Sequence, residues 1–224
     1  MQYAEKNSKY IILVRHGEPD NPKKIVYNLD EVMGKGNEIR ITKYGKKQLR
    51  ALGKVITKKG FKIVRILHSN QTRAVESAKS LNEILKVKGF QEEKRLSDVY
   101  APGGYLEGMK MAELRQRPGD AYSPRWKKYN HETPPQIYTR FNQVFLDVVN
   151  TLDLGETAIL VSHGDPIAWF VNYKIAGKFP DPEKLRNLTY PNQGQGIVLA
   201  LNAQNKVLKY YFLQDPELLS GKSY

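Results

Sequence analysis

The sequence predicts an α/β fold, with a largely parallel sheet covered by helices on both faces. Three observations carry this. The apolar runs Ile11–Val14, Phe61–Leu67 and Thr157–Val161 read as strands buried on both faces. Segments between and after them place apolar residues at helical spacing. Each run also stops abruptly on polar residues: Arg15-His16-Gly17, His68-Ser69-Asn70 and Ser162-His163-Gly164.

Taken in order, the first strand ends where Gly17 is expected to turn the chain through a positive φ. Glu18 to Ile41, rich in Pro, Asn, Lys and Gly, reads as a long loop. Thr42 is an N-cap, Leu49, Leu52 and Ile56 mark the buried face of a helix, and Gly60 ends it. After the second strand, Ala74, Ala78, Leu81 and Leu85 predict a helix capped by Ser69 or Asn70. Its first turn holds Arg73. A cation there opposes the helix dipole at a cost of about 0.3–1 kcal/mol. An anion bound by helix and guanidinium together would offset it.

Gln91–Leu96 carries a weak strand signal. Ser97 to Pro135 is irregular apart from a short helix within Met109–Arg117. Loops of that length in a compact domain are usually functional, and this one reads as a lid-like insertion with Tyr100, Tyr105, Arg115, Arg117, Arg125 and Trp126. Pro134-Pro135 open a helix with Ile137, Phe141, Val144, Phe145, Val148 and Leu152 on one stripe. Beyond the third strand, Pro166 is expected to start a helix that stops at Gly177. Ile197–Leu201 and Val207–Phe212 form a last pair of strands, and the tail from Gln214 reads as loosely held.

The 224 residues, 40% hydrophobic and 26% charged, suit one domain over 1–224 with the insertion at about 97–135. The absence of cysteine excludes disulfides, thiolate zinc sites and cysteine nucleophiles, and it suits a reducing, cytoplasmic compartment. The polar N-terminus has no secretory h-region. No apolar run approaches a membrane span. A net charge of +13 favours acidic partners, but the lysines are scattered in pairs. That pattern suits a solvated surface better than a nucleic-acid groove. Anionic lipid and phosphorylated small molecules are the other partners such a charge favours, and no motif fixes an oligomeric state.

Ligands of parallel α/β sheets sit outside the carboxyl ends of the strands. Arg15, His16, Arg73 and His163 all fall at that end of three separate strands. Guanidinium offers forked donors to phosphate oxygens, and a neutral imidazole can attack phosphorus. Other histidines read as structural: His68 as packed beside its strand, and His131 as exposed in a loop. Asn192-Gln193-Gly194-Gln195-Gly196 lacks the following Lys-Ser/Thr of a nucleotide-binding phosphate loop, so its glycines serve close backbone approach. Ser162 has no recognisable base for a serine-hydrolase triad.

Arg15-His16-Gly17-Glu18, Ser69-Asn70-Gln71-Thr72-Arg73-Ala74 and Ser162-His163-Gly164 together resemble the histidine phosphatase superfamily, in its phosphoglycerate mutase-like branch. Ile41-Thr42 through Gly45 to Gln48-Leu49 is similar to a further family segment. The resemblance runs from Tyr10 to about Leu201. It implies a three-layer α/β/α sandwich around a mixed, mainly parallel sheet of about six strands. It implies a metal-independent phosphatase, of the histidine acid phosphatase type, that needs no cofactor and works through a phosphohistidine on His16. In that scheme Arg15, Arg73 and His163 hold the phosphoryl oxygens, with Gly164 and Asn21 as further phosphate contacts. The ring nitrogen of His16 that does not attack is expected to donate to a nearby acceptor, a backbone carbonyl being the natural one. The family's general acid is a glutamate. Here Leu96-Ser97-Asp98 places Asp98 in that role, with Glu107 as the alternative acid.

The sequence also departs from the mutase branch. Pro19-Asp20-Asn21-Pro22 replaces the Ser and Trp-Asn that follow the first motif there, with Asn21 one position early. The mutases' glycine-tryptophan loop is missing before Arg40. These departures argue for a phosphatase. A phosphoglycerate mutase-type transferase and a catalytically weak phospho-ligand binding module are the alternatives.

Overall fold

The computed structural model describes residues 7–26, 39–101, 108–116 and 118–218. Six strands form one sheet: β1 (Lys9–Arg15), β2 (Lys62–His68), β3 (Phe90–Glu92), β4 (Glu156–Ser162), β5 (Gly196–Leu201) and β6 (Val207–Leu213), in the order β3-β2-β4-β1-β5-β6. The pairs β2–β3, β2–β4 and β1–β4 are parallel, while β5 runs antiparallel to both β1 and β6. The sheet is mixed and mainly parallel, as the resemblance implied.

Side chains alternate across a strand, so each central strand feeds two cores. Ile11, Leu13 and Leu160 face α4 (Pro134–Val149) and α5 (Gly164–Ala176), where Phe141, Val144, Phe145 and Phe170 close the layer. Ile12, Val14, Ile159 and Val161 face α1 (Lys43–Lys58) and α2 (Thr72–Leu85), packed through Leu49, Leu52, Ile56, Ala78 and Leu81. All of these side chains are buried. At about 25 cal/mol per Å² removed from water, these two layers are the main stabilising term of the fold.

Local signals place the helix ends. Thr42 Oγ1 accepts from Gly45 N–H at 2.9 Å, capping α1 as expected. Gly177 closes α5 in the left-handed region, at φ 69°. Thr133 and Gln136 form a capping box at the start of α4, just before Pro134-Pro135. The short helix expected near Met109 is α3 (Met111–Gln116). Among the described residues no helix is long and apolar enough to cross a membrane.

Four local expectations need correction. The cap of α2 is Gln71, with no side-chain cap bond, because Ser69 and Asn70 turn instead toward His163 and Ser97. The weak strand signal over Gln91–Leu96 resolves into the short β3 and a 3-10 turn, Lys94–Leu96. Pro166 is the third residue of α5, whose cap is His163; it still lies in the first turn, where a missing N–H costs no intrahelical bond. Gly17 is not among the glycines with positive φ. Its reason is space: a Cβ there would sit 2.7 Å from both Gly45 O and Leu49 Cδ2.

Candidate active site

Strand order brings the three motif-bearing ends side by side, since β2, β4 and β1 are neighbours. At the end of β1 the backbone is held from both sides. Arg15 N–H donates to Gln195 O at 3.1 Å, and His16 N–H donates to Ser162 O at 3.0 Å. His16 O accepts from Gly194 N–H at 3.0 Å. Gly194 has φ +70°, and a Cβ there would lie 2.6 Å from Gln48 Cβ, so this turn needs glycine. Gly17 N–H donates to Ser77 Oγ at 2.9 Å, and Ser77 donates in turn to Arg73 O at 2.6 Å. The loop carrying His16 is thereby tied to the first turn of α2, which carries Arg73.

His16 is 3% exposed, and its Nδ1 lies 2.8 Å from Gly17 O. A carbonyl oxygen only accepts, so Nδ1 carries the proton and Nε2 keeps its lone pair. Burial, with the charges of Arg73, His163 and Arg15 behind it, holds the His16 pKa well below its ordinary value. The ring is neutral near pH 7. This is the orienting carbonyl bond expected from the chemistry of a nitrogen nucleophile.

His163 is 5.2 Å from His16, ring centre to ring centre, and is equally buried. Burial and the charges of Arg73, Arg140 and Arg15 keep it neutral as well. Its Nε2 is 2.9 Å from Ser69 Oγ, and its Nδ1 is 3.5 Å from Asp98 Oδ2. The carboxylate favours the proton on Nδ1, with the Ser69 hydroxyl donating to Nε2. Arg73, wholly buried, reaches Asp98 Oδ2 at 2.8 Å. Arg15 donates to Pro191 O at 3.0 Å and lies 5.3 Å from the centre of the Tyr190 ring. Arg15, His16, Arg73, His163 and Asp98 are thus one cluster.

Asp98 is itself held in place. Arg140, on α4, donates to Arg95 O at 2.7 Å, Ser97 O at 2.8 Å and Asp98 O at 3.1 Å. Its other donors reach Glu132 at 2.5 and 2.9 Å. Gln71 Oε1 accepts from Asp98 N–H at 3.0 Å. Sequence reading passed over Arg140, which sits on the polar flank of an otherwise apolar helix. It also took Ser69 for a cap, although the residue lies within the motif that carries Arg73.

The crevice has two lobes that share Arg15, His16 and Met111. One, about 260 Å³, is lined by Glu18, Asp20, Asn21, Lys24, Thr42 and Gln193. Asn21 donates one amide N–H to Ile25 O at 2.7 Å. The other, about 130 Å³, is bounded by Asp98, Tyr122, His131, Asp165, Arg186 and Tyr190, with apolar walls from Val26, Val99, Met111 and Leu114. Gly164 lies there too, and a Cβ on it would be 2.4 Å from the Tyr190 hydroxyl. His131, expected in solvent, is 7% exposed and packs edge-on to Tyr122. Tyr122 packs in turn on Trp169, and such contacts with residues distant in the chain bring His131 inward, an effect that loop composition does not report. His68 is packed as expected, tilted against Phe90. Glu107, Tyr105 and Arg117, with the side chains of Arg115, Arg125 and Trp126, lie outside the described residues. Among the described residues no group of three His, Asp or Glu is placed to hold a metal ion.

A family model of the histidine phosphatase superfamily (branch 1) matches residues 11–211. The chain belongs to this superfamily. Solved structures share its fold. A Bacillus stearothermophilus protein, YhfR, aligns with TM-score 0.68 at 19% identity, over 92% of this chain and 96% of the other. A mycobacterial glucosyl-3-phosphoglycerate phosphatase gives 0.67 at 18% identity, over 92% and 97%. The alpha-ribazole phosphatase of Shigella flexneri gives 0.66 at 17%, over 92% and 96%. The matched span contains Arg15, His16, Arg73, Asp98 and His163.

Proposed function

We propose that this histidine phosphatase hydrolyses phosphate monoesters of small molecules through a phosphohistidine on His16. One observation carries the reading: a buried, neutral imidazole with Nδ1–H fixed on Gly17 O and Nε2 free to attack, set among Arg15, Arg73 and His163. In the first step Nε2 forms a bond to phosphorus and the ester P–O bond breaks. Its electron pair goes to the alcohol oxygen. Arg15, Arg73 and Nδ1–H of His163 stabilise the charge on the transferring oxygens, and such positioning supplies most of the catalysis of phosphoryl transfer. The imidazolium that forms keeps its proton on Nδ1, shared with Gly17 O. Water then attacks phosphorus, and the phosphate leaves His16 neutral again.

Asp98 is the candidate acid for the leaving oxygen. In the free site it occupies Arg73. When phosphoryl oxygens take that guanidinium, Asp98 is released from its ion pair and can receive the proton that a monoanionic phosphate ester brings into the site. It can then give its proton to the alcohol and later take one from water.

The test is phosphate release from p-nitrophenyl phosphate in the presence of EDTA. The parent is expected to turn over, and His16→Ala is expected to lose about 10³-fold or more. A radioactive phosphoryl label should be trapped as an acid-labile adduct on the parent alone. Unchanged hydrolysis by His16→Ala overturns the reading. Interconversion of 2- and 3-phosphoglycerate faster than phosphate release turns it toward a mutase.

A further inference from the structure

The second lobe contains a charge arrangement that phosphoryl transfer at His16 does not use. Asp165, in the first turn of α5, accepts from the Tyr122 hydroxyl at 2.5 Å on one oxygen and from the Tyr190 hydroxyl at 2.6 Å on the other. Arg186, on the 3-10 turn Pro182–Asn187, comes no nearer to that carboxylate than 4.0 Å. Both Asp165 oxygens are thus committed to hydroxyls, and the guanidinium beside them keeps its donors. Arg186 is 28% exposed at its side chain and borders the lobe. Its guanidinium carbon lies 5.7 Å from the centre of the Tyr190 ring, while that of Arg15 lies 5.3 Å from the same centre. One aromatic ring therefore sets the spacing between the cation at the phosphoryl site and a second cation, within the length of a small molecule. The same lobe is also lined by the apolar Val26, Val99, Met111 and Leu114.

We infer that the second lobe receives the alcohol portion of the ester, and that this portion is an apolar ring or short chain carrying a second anionic group, held by Arg186. The inference rests on the phosphatase reading for where the phosphate sits. Guanidinium has donors and no acceptor, and it matches a carboxylate or phosphate as a fork. A neutral ligand leaves that guanidinium with no ion-pair partner among the described residues nearer than the Asp165 carboxylate at 4.0 Å. A cationic one is repelled. The tyrosine hydroxyls hold the Asp165 oxygens, and Arg186 stands beyond hydrogen-bond reach of them.

The experiment measures binding so that turnover does not enter. His16→Ala protein is titrated by calorimetry with phenyl phosphate, 3- and 4-carboxyphenyl phosphate, and 4-(aminomethyl)phenyl phosphate. At least one carboxylated ester is expected to bind about tenfold or more tighter than phenyl phosphate, with the amine weaker than either. Adding Arg186→Met should bring the carboxylated and plain esters within about twofold, while Arg186→Lys, which keeps the charge and loses the fork, should fall between. Equal affinities in the presence of Arg186 overturn the inference. So does a preference that survives in Arg186→Met, or in Arg186→Gln should the methionine variant not fold. Phosphate release by the parent from the same esters is followed separately. Its absence counts against the phosphatase reading and leaves the affinity comparison standing.

Discussion

The Arg73 guanidinium and the Asp98 carboxylate meet at 2.8 Å, and the arginine is completely buried while the aspartate is one-fifth exposed. The same Asp98 oxygen is 3.5 Å from His163 Nδ1. In the free site this carboxylate therefore stands on two of the groups that the proposed reaction assigns to the phosphoryl oxygens. On that reading Asp98→Asn removes both a competitor for phosphate and the proton donor. Inorganic phosphate or vanadate should bind more tightly to the variant. Turnover of alkyl phosphates, whose leaving oxygen needs a proton, should fall by about 10²–10³-fold. Turnover of p-nitrophenyl phosphate, with its good leaving group, should fall far less. Steady-state assays on the two ester types, with product inhibition by phosphate, check all three outcomes. Equal losses on both esters would move the acid elsewhere.

The two site histidines set a pH response. In the proposed reaction His16 must be neutral to attack, and burial with the surrounding cations holds it neutral well below pH 6.5. For kcat/KM this predicts no acid limb centred near 6.5, and activity that persists into the mildly acid range. A pH–rate profile showing half-loss at 6.5 would contradict the burial argument.

Stability should respond over that same acid range. Burial lowers His131 to about 4, while Glu132 and Asp165 pull the other way. The unfolded chain, with an ordinary histidine, binds a proton that the folded chain refuses, so stability falls as pH drops from 6.5 toward 4. Each tenfold loss of proton affinity is worth about 1.4 kcal/mol, so His131 alone accounts for roughly 2–3 kcal/mol of that fall. His16, His68 and His163 are lowered too and add to it. Thermal melts across this range should show a steep fall, shallower in His131→Phe, which keeps the edge-on contact with Tyr122 and removes the titration.

Much of this was legible in the chain because it depends on local patterns. Ile11–Val14, Leu49–Ile56 and Ile137–Val148 state their period and therefore their faces. The ends of β1, β2 and β4 carry their chemistry in contiguous motifs. What the sequence hid depends on partners far along the chain. Gly17 looked like a turn residue, and only Gly45 across the gap shows that it is a packing residue. Ser69 looked like a cap until His163, 94 residues away, showed what its hydroxyl meets. Tyr122, Asp165, Arg186 and Tyr190 come from three separate segments and share no motif.

Close packing at Gly17 gives a sharp test. A methyl group there would press on the backbone at Gly45 O, 2.7 Å, and Gly45 Cα, 2.9 Å, and on the terminal methyl Cδ2 of the fully buried Leu49 at 2.7 Å. Gly17→Ala should cost about 1–3 kcal/mol by overpacking and displace the Gly17 carbonyl that orients His16. Loss of activity should exceed what the melt explains. If activity and stability both match the parent, the close approach does not matter.

Arg140 offers the clearest separation of positioning from chemistry. It touches none of the atoms that would react, yet it holds the backbone carbonyls of Arg95, Ser97 and Asp98 and pairs with Glu132. Its side chain is 19% exposed and that of Glu132 10%, so removing the arginine strands a mostly buried carboxylate. Breaking such a pair costs about 3–5 kcal/mol when fully buried, and somewhat less here. Arg140→Met should lower stability accordingly. The double variant Arg140→Met with Glu132→Gln removes the stranded charge and should recover part of the stability. It should not recover the activity on alkyl phosphates, because the segment carrying Asp98 is still unclamped. kcat on those esters should remain reduced by about tenfold, while turnover of p-nitrophenyl phosphate stays close to the parent, as for a misplaced proton donor. A double variant that regains both stability and alkyl-phosphate turnover would show the clamp to be structural only.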